Sequence, residues 1–186
     1  TDSIIDNTLV NSSAVVPVSA APRAIFLISE TLVLFILCIP FSVSAEMMVI
    51  QVNPNSLSYE LSPTNYNNSP SNYDNSSSNY NNSVTNYDNS PSNYNNSPSN
   101  YENSLGRNRL YNQERVIVGY AVYSPIGTLN IFSTSGRRLG YVPATNNTQS
   151  IFASENSIWC GTLGLLNGRT VIALSQSCYY RLLSNQ

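Results

Sequence analysis

Between Ser62 and Ser104 the chain repeats every seven residues, as SPTNYNN, SPSNYDN, SSSNYNN, SVTNYDN, SPSNYNN and SPSNYEN. This period constrains the fold more than anything else in the sequence. A coiled coil is excluded: there is no apolar a/d seam, and Pro63, Pro70, Pro91 and Pro98 each remove a backbone donor and clash with the preceding turn. A flat strand is awkward, because side chains alternate with period two and an odd repeat sends successive tyrosines to opposite faces. The expectation is an extended polyproline-II rod, since each residue before Pro is pushed towards that region. Tyr66, Tyr73, Tyr80, Tyr87, Tyr94 and Tyr101 then step around the axis by about 120° and climb about 22 Å per copy. Tyr59, in the degenerate SLSYEL, reads as a seventh copy fading out.

The same register aligns a column of hydroxyl residues at 64, 71, 78, 85, 92 and 99. Charged residues are only 10% of the chain, so solubility must come from Asn, Ser, Thr and Tyr or from groups attached to them. Covalent glycans are therefore expected. The Asn-x-Ser acceptor pattern occurs at Asn67, Asn75, Asn81 and Asn95. O-linkage to Thr64, Ser71, Ser78, Thr85, Ser92 and Ser99, or to hydroxylated Pro63, Pro70, Pro91 and Pro98, uses the register more uniformly. A bare polar linker is the alternative.

With its Ser-Pro units and periodic Tyr, the repeat resembles hydroxyproline-rich wall glycoproteins of the extensin sort. It resembles more closely the extracellular glycofibrils in which glycan shells coat linear tandem repeats. That resemblance implies modified pairs at Pro63-Thr64, Pro70-Ser71, Pro91-Ser92 and Pro98-Ser99. Ser77 and Val84 replace Pro in copies three and four.

Upstream, Ala24–Ala45 is an apolar run closing on Val-Ser-Ala, similar to a signal peptide. Cleavage after Ala45 removes Cys38 and leaves Cys160 and Cys178 for one disulfide in an oxidising compartment, hence a secreted protein; residues 1–23 then belong to an upstream reading frame. The rival reading retains the segment as a membrane anchor. Next comes EMMVIQV, an apolar strand-like run without an evident core of its own. Through Met47, Met48, Val49, Ile50 and Val52 it is expected to add as a donor strand to the β domain of the next copy, giving a head-to-tail homopolymer.

From residue 105 the composition turns β-branched and aromatic, punctuated by Gly. RVIVGYAVYS, GTLNIFST, RRLGYVPA, QSIFAS, IWCGTLGLL, RTVIALSQ and CYYRLL read as six or seven strands, with turns at Ser135-Gly136 and Asn167-Gly168. The fold class expected is a small all-β domain, an antiparallel sandwich or barrel, behind an extended repeat.

Chemistry is sparse. There is no His and every basic residue is Arg, so the usual general base and the commonest metal ligand are missing. Beyond Glu102 only Glu114 and Glu155 carry carboxylates, and a glycosidase pair would have to be those two. No catalytic residue, metal or cofactor is expected. Arg137, Arg138, Arg169 and Arg181 read as a basic face better suited to acidic sugars than to nucleic acid. The leading function is a structural subunit of a secreted, glycosylated filament. The alternative is a surface-anchored carbohydrate-binding or adhesive module on a polar stalk.

Overall fold

The computed structural model describes residues 47–145, 147–167 and 169–184. Ala24–Ala45, with the signal and anchor readings that fall on it, lies outside them. Among the described residues, no helix is long and apolar enough to cross a membrane.

Eight strands close into a barrel: β1 Met47–Gln51, β2 Arg109–Tyr111, β3 Ile117–Tyr123, β4 Leu129–Phe132, β5 Arg138–Val142, β6 Ser150–Ala153, β7 Trp159–Leu166 and β8 Arg169–Leu174. From β2 to β8 each strand pairs antiparallel with the next. Eight strands leave an interior that side chains alone can fill, here Val49, Leu110, Val118, Leu129, Ile131, Val142, Ile151, Leu163, Ile172 and Leu174. Asn167, at positive φ, turns β7 into β8 with Leu166 opposite Arg169, as its Asn-Gly signal predicts.

Two expectations are corrected. CYYRLL is not a strand but part of helix α2, Gln176–Ser184. Its spacing puts Cys178 and Leu182, with Tyr179 and Leu183, on one face against the barrel core. Cys178 is bonded to Cys160 of β7, which ties this helix to the barrel. Closing a loop of 18 residues contributes about 3 kcal/mol. The run from Met47 to Val52, in turn, does have a core: β1 lies parallel between β2 and β8 of its own chain, with Val49 fully buried. The β domain therefore begins at residue 47 rather than 105.

Parallel neighbours cannot be joined by a hairpin and need a crossover. Between β1 and β2 the repeat is that crossover, and it is no polyproline rod. Each copy is two tight turns. The first, Ser-Pro-x-Asn, closes from the Asn N–H to the Ser carbonyl, as from Asn72 to Ser69 at 3.1 Å. Pro sits at its favoured second position. The second is a 3-10 turn starting at Tyr, as at Tyr66–Asn68, Tyr73–Asn75, Tyr87–Asn89 and Tyr94–Asn96. Copies without Pro fold the same way, with Asn79 bonded to Ser76 and Asn86 to Ser83. The last copy runs into helix α1, Tyr101–Ser104.

Side chains hold the coil, which the polyproline expectation left out. Ser at position one accepts from the N–H two residues on, and Asn at position four does the same for the 3-10 turn, each satisfying a local donor. The Asn at position seven is buried, and its amide donates twice, to carbonyls eight and six residues back along the coil. Asn75 reaches the carbonyls of Asn67 (2.7 Å) and Ser69 (2.9 Å), and Asn68, Asn82, Asn89, Asn96 and Asn103 repeat the pattern. At the start of the ladder Leu61 occupies this position, where a buried apolar side chain replaces the amide.

Candidate functional site

The coil lies on the outside of the barrel and meets its strands in reverse order. Thr148, just before β6, donates to Asn68 Oδ1 (2.7 Å), and Tyr141 of β5 donates to the Asn75 carbonyl (2.7 Å). Arg138 of β5 reaches the Asn82 carbonyl (2.8 Å), and Asn130 of β4 donates to Asn89 Oδ1 (3.1 Å). Tyr120 of β3 donates to the Asn96 carbonyl (2.6 Å), and Asn108 beside β2 donates to Asn103 Oδ1 (2.7 Å). Aromatic clusters fill the layer between: Tyr120 stacks on Phe132 at 5.2 Å, and Tyr141 packs with Phe152 and Trp159, joined by Leu57 at the start of the belt. Gly136, at positive φ in the β4–β5 turn, leaves room for Pro98, whose ring would lie 2.8 Å from a Cβ there. The repeat is thus a belt in register with the barrel, not a free spacer.

Arg138 is the one charge beneath the belt, 5% exposed. Its Nε donates to Asn130 Oδ1 (2.7 Å) and its guanidinium carbon lies 4.8 Å from the Tyr141 ring centre. Burial lowers its pKa to about 10, and the nearby Tyr141 partly offsets that. Of the basic face expected from Arg137, Arg138, Arg169 and Arg181, Arg138 is therefore withdrawn. Arg138 is a buried strut, and Arg137 and Arg181 both pair with Glu155. That pairing also engages Glu155, one half of the carboxylate pair considered from the sequence. Among the described residues no cluster of His, Cys, Asp and Glu suits a metal ion.

On the outer side the expected modification residues separate. Thr64, Ser71, Ser78, Thr85, Ser92 and Ser99 are all exposed, as are Asn67, Asn81 and Asn95; Pro70 and Pro91 are exposed, and Pro63 and Pro98 half-buried. Asn75 is not available: it is buried and both amide hydrogens are spent on carbonyls, so the folded chain cannot offer that acceptor.

Positions one, two, four and seven of the heptad each have a structural task, and positions three, five and six are assigned none. Ser and Asn cap turns, Pro presets one, and the second Asn is the ladder. Tyr carries no side-chain hydrogen bond and no ring pairing within the coil, yet it is present in every copy. Tyr59, Tyr66, Tyr73, Tyr80, Tyr87, Tyr94 and Tyr101 are 62–64% exposed. The Asn before each coil tyrosine from Tyr66 on keeps φ between −71° and −76° wherever a helical turn follows. The backbone around each Tyr repeats and their exposures are equal, so the phenols recur once per copy along the outside of the belt, with the exposed hydroxyls of position three and Asn, Asp or Glu at position six beside them in the chain. Sequence reasoning found the period but not that the row is held on a rigid support. No family model, curated protein or solved structure matches the chain.

Proposed function

We propose that this chain is a secreted binding module that uses its tyrosine row to hold extended glycans by stacking. The observation that carries the reading is the one just given: seven equally exposed phenols that the fold does not use. Tyr offers a large rigid face at low conformational cost and a polar tip that stays in water. A row of equal sites suits a ligand that repeats, because once one unit binds the others engage intramolecularly. Secretion is supported by the single disulfide and by the signal-like segment that precedes β1.

The test is affinity electrophoresis against a panel of neutral polysaccharides, using wild type, Tyr80→Ala and the triple variant Tyr73→Ala/Tyr80→Ala/Tyr87→Ala. At about 1 kcal/mol per ring, the single change weakens binding about fivefold and the triple change by about two orders of magnitude. A triple variant that melts like wild type and still binds fully refutes the reading.

A second reading, the subunit of a glycan-coated extracellular filament, is favoured by the exposed hydroxyl column and by β1. That strand is short and sits in a parallel slot between β2 and β8, which the same strand of another copy could fill. Native material with added mass at heptad spacing and filaments in electron micrographs would favour it; an unmodified monomer would remove it.

A further inference from the structure

A cleft of about 310 Å³ opens between the belt and the end of β3. One wall carries Asp88, Asn95 and Glu102, the position-six residues of three successive copies, with Asn100 beside them. Tyr123 of β3 and Asn108 beside β2 also line the cleft. We propose that this cleft binds one neutral hexose unit of the glycan whose chain runs along the tyrosine row, an inference that rests on the stacking function above.

The lining selects the ligand class. Side-chain amides both donate and accept, as a ring of hydroxyls requires, and a carboxylate accepts from two vicinal hydroxyls at once. Glu102 Oε2 is already engaged by Arg107 at 3.4 Å, so Asp88 is the acceptor assigned to the sugar. The Tyr123 ring, 62% exposed, offers a face for the C–H side of the sugar ring. No cationic side chain lines the cleft, and its two carboxylates repel uronic and sialic acids. Its volume is at the lower end of small-molecule sites, about 300 Å³ upward, which suits a single ring.

The repeat supplies a mild variant. Asn already stands at position six in copies one, three and five, as Asn67, Asn81 and Asn95, so Asp88→Asn is a residue the coil accepts. The experiment is an NMR titration of the full chain with glucose, galactose, mannose, glucosamine and glucuronate, following the side-chain amides of Asn95, Asn100 and Asn108. At least one neutral hexose is expected to shift these signals, and Asp88→Asn and Tyr123→Ala each to weaken that binding about tenfold, the loss of one charge-assisted contact or one stacked face. Tyr73→Ala, far along the belt, is expected to leave hexose binding unchanged and to weaken polysaccharide binding alone. The proposal is overturned if no neutral hexose shifts these amides, if Asp88→Asn binds like wild type, or if glucosamine or glucuronate binds better than the neutral sugars. Polysaccharide binding that survives any of these results and is lost in the tyrosine variants overturns the cleft and keeps the row.

Discussion

Asn89 is the residue at which the ladder and the barrel meet, so replacing it tests whether the coil is held as described. It is 0% exposed. Its amide donates to the carbonyls of Asn81 (2.7 Å) and Ser83 (3.1 Å), and its Oδ1 accepts from Asn130 (3.1 Å). Asn89→Ala removes all three bonds, but not with equal effect. The Asn81 carbonyl keeps Thr128 Oγ1 at 3.0 Å and the Ser83 carbonyl keeps the Asn86 N–H, so each carbonyl still has a partner. The Asn130 amide keeps none of its recorded acceptors. Taking about 2 kcal/mol for that orphaned donor and about 0.5 kcal/mol for each half-satisfied carbonyl gives about 3 kcal/mol. For a chain of this size the melting temperature then falls by roughly 10 °C. Asn81→Ala is the control, because Asn81 is exposed at position six and its side chain holds nothing; a change within about 0.5 kcal/mol is expected. Asn89→Asp should cost more than Asn89→Ala, since it sets a carboxylate oxygen against the same two carbonyls. Thermal melts of the three variants decide the matter. If Asn89→Ala melts within about 2 °C of Asn81→Ala, the buried amides do not hold the coil and the reasoning fails.

Deleting one whole copy, residues 76–82, removes the carbonyls that Thr128 and Arg138 reach, and moving the next copy into their place takes the later contacts with Asn130, Tyr120 and Asn108 out of register. It should abolish cooperative melting, whereas a free spacer would lose a copy for a few tenths of a kcal/mol. Reduction of Cys160–Cys178 should lower stability in urea titrations by about 3 kcal/mol, and a reduced chain that unfolds at the oxidised midpoint would contradict the tether assigned to α2. Alkaline pH sets two buried groups against each other. Burial raises the Tyr120 phenol from 10.0 to about 12 and lowers the Arg138 guanidinium to about 10. Between pH 10 and 12 the unfolded chain gives up the Tyr120 proton that the folded chain keeps, so stability falls; over the same range the burial cost of Arg138 is relieved, so its share rises. Burial also raises Tyr141, so the net result expected is a urea midpoint that falls across this window, less steeply in Tyr120→Phe. A midpoint that rises would refute it.

Most of the barrel was legible because its strands announce themselves locally, through β-branched runs and Gly-bearing turns. The disulfide followed from counting cysteines. Helix α2 was missed because a short apolar run such as CYYRLL does not distinguish strand from helix by period. β1 was misplaced because 57 residues separate its last residue from β2, and no local pattern reports a partner that distant. A clue to the belt did exist in the strands. β4 and β6 are buried at every residue, and Tyr120, Asn130, Phe132, Arg138, Tyr141 and Phe152 stand on the face that an ordinary one-sided sheet would give to solvent. Strands filled on both faces need a second layer, and among the described residues the repeat supplies it.

The odd period then has a physical explanation that the extended readings lacked. In a strand, seven residues reverse the face; in a coil whose two tight turns consume one copy, seven residues restore it, so Asn at position seven meets the barrel every time and Tyr at position five never does. The Asn ladder also explains why the repeat is so strict. Each amide bonds to a carbonyl eight residues back and another six back, so a copy of six or eight residues would misplace both acceptors. Strictness at positions one, four and seven is accounted for by the coil itself. Strictness at position five is not, because an exposed Tyr without a hydrogen bond could be Ser or Thr at little cost to the fold. The glycan stacking proposed for the row accounts for a Tyr at that position in every copy, which the coil's own bonds do not.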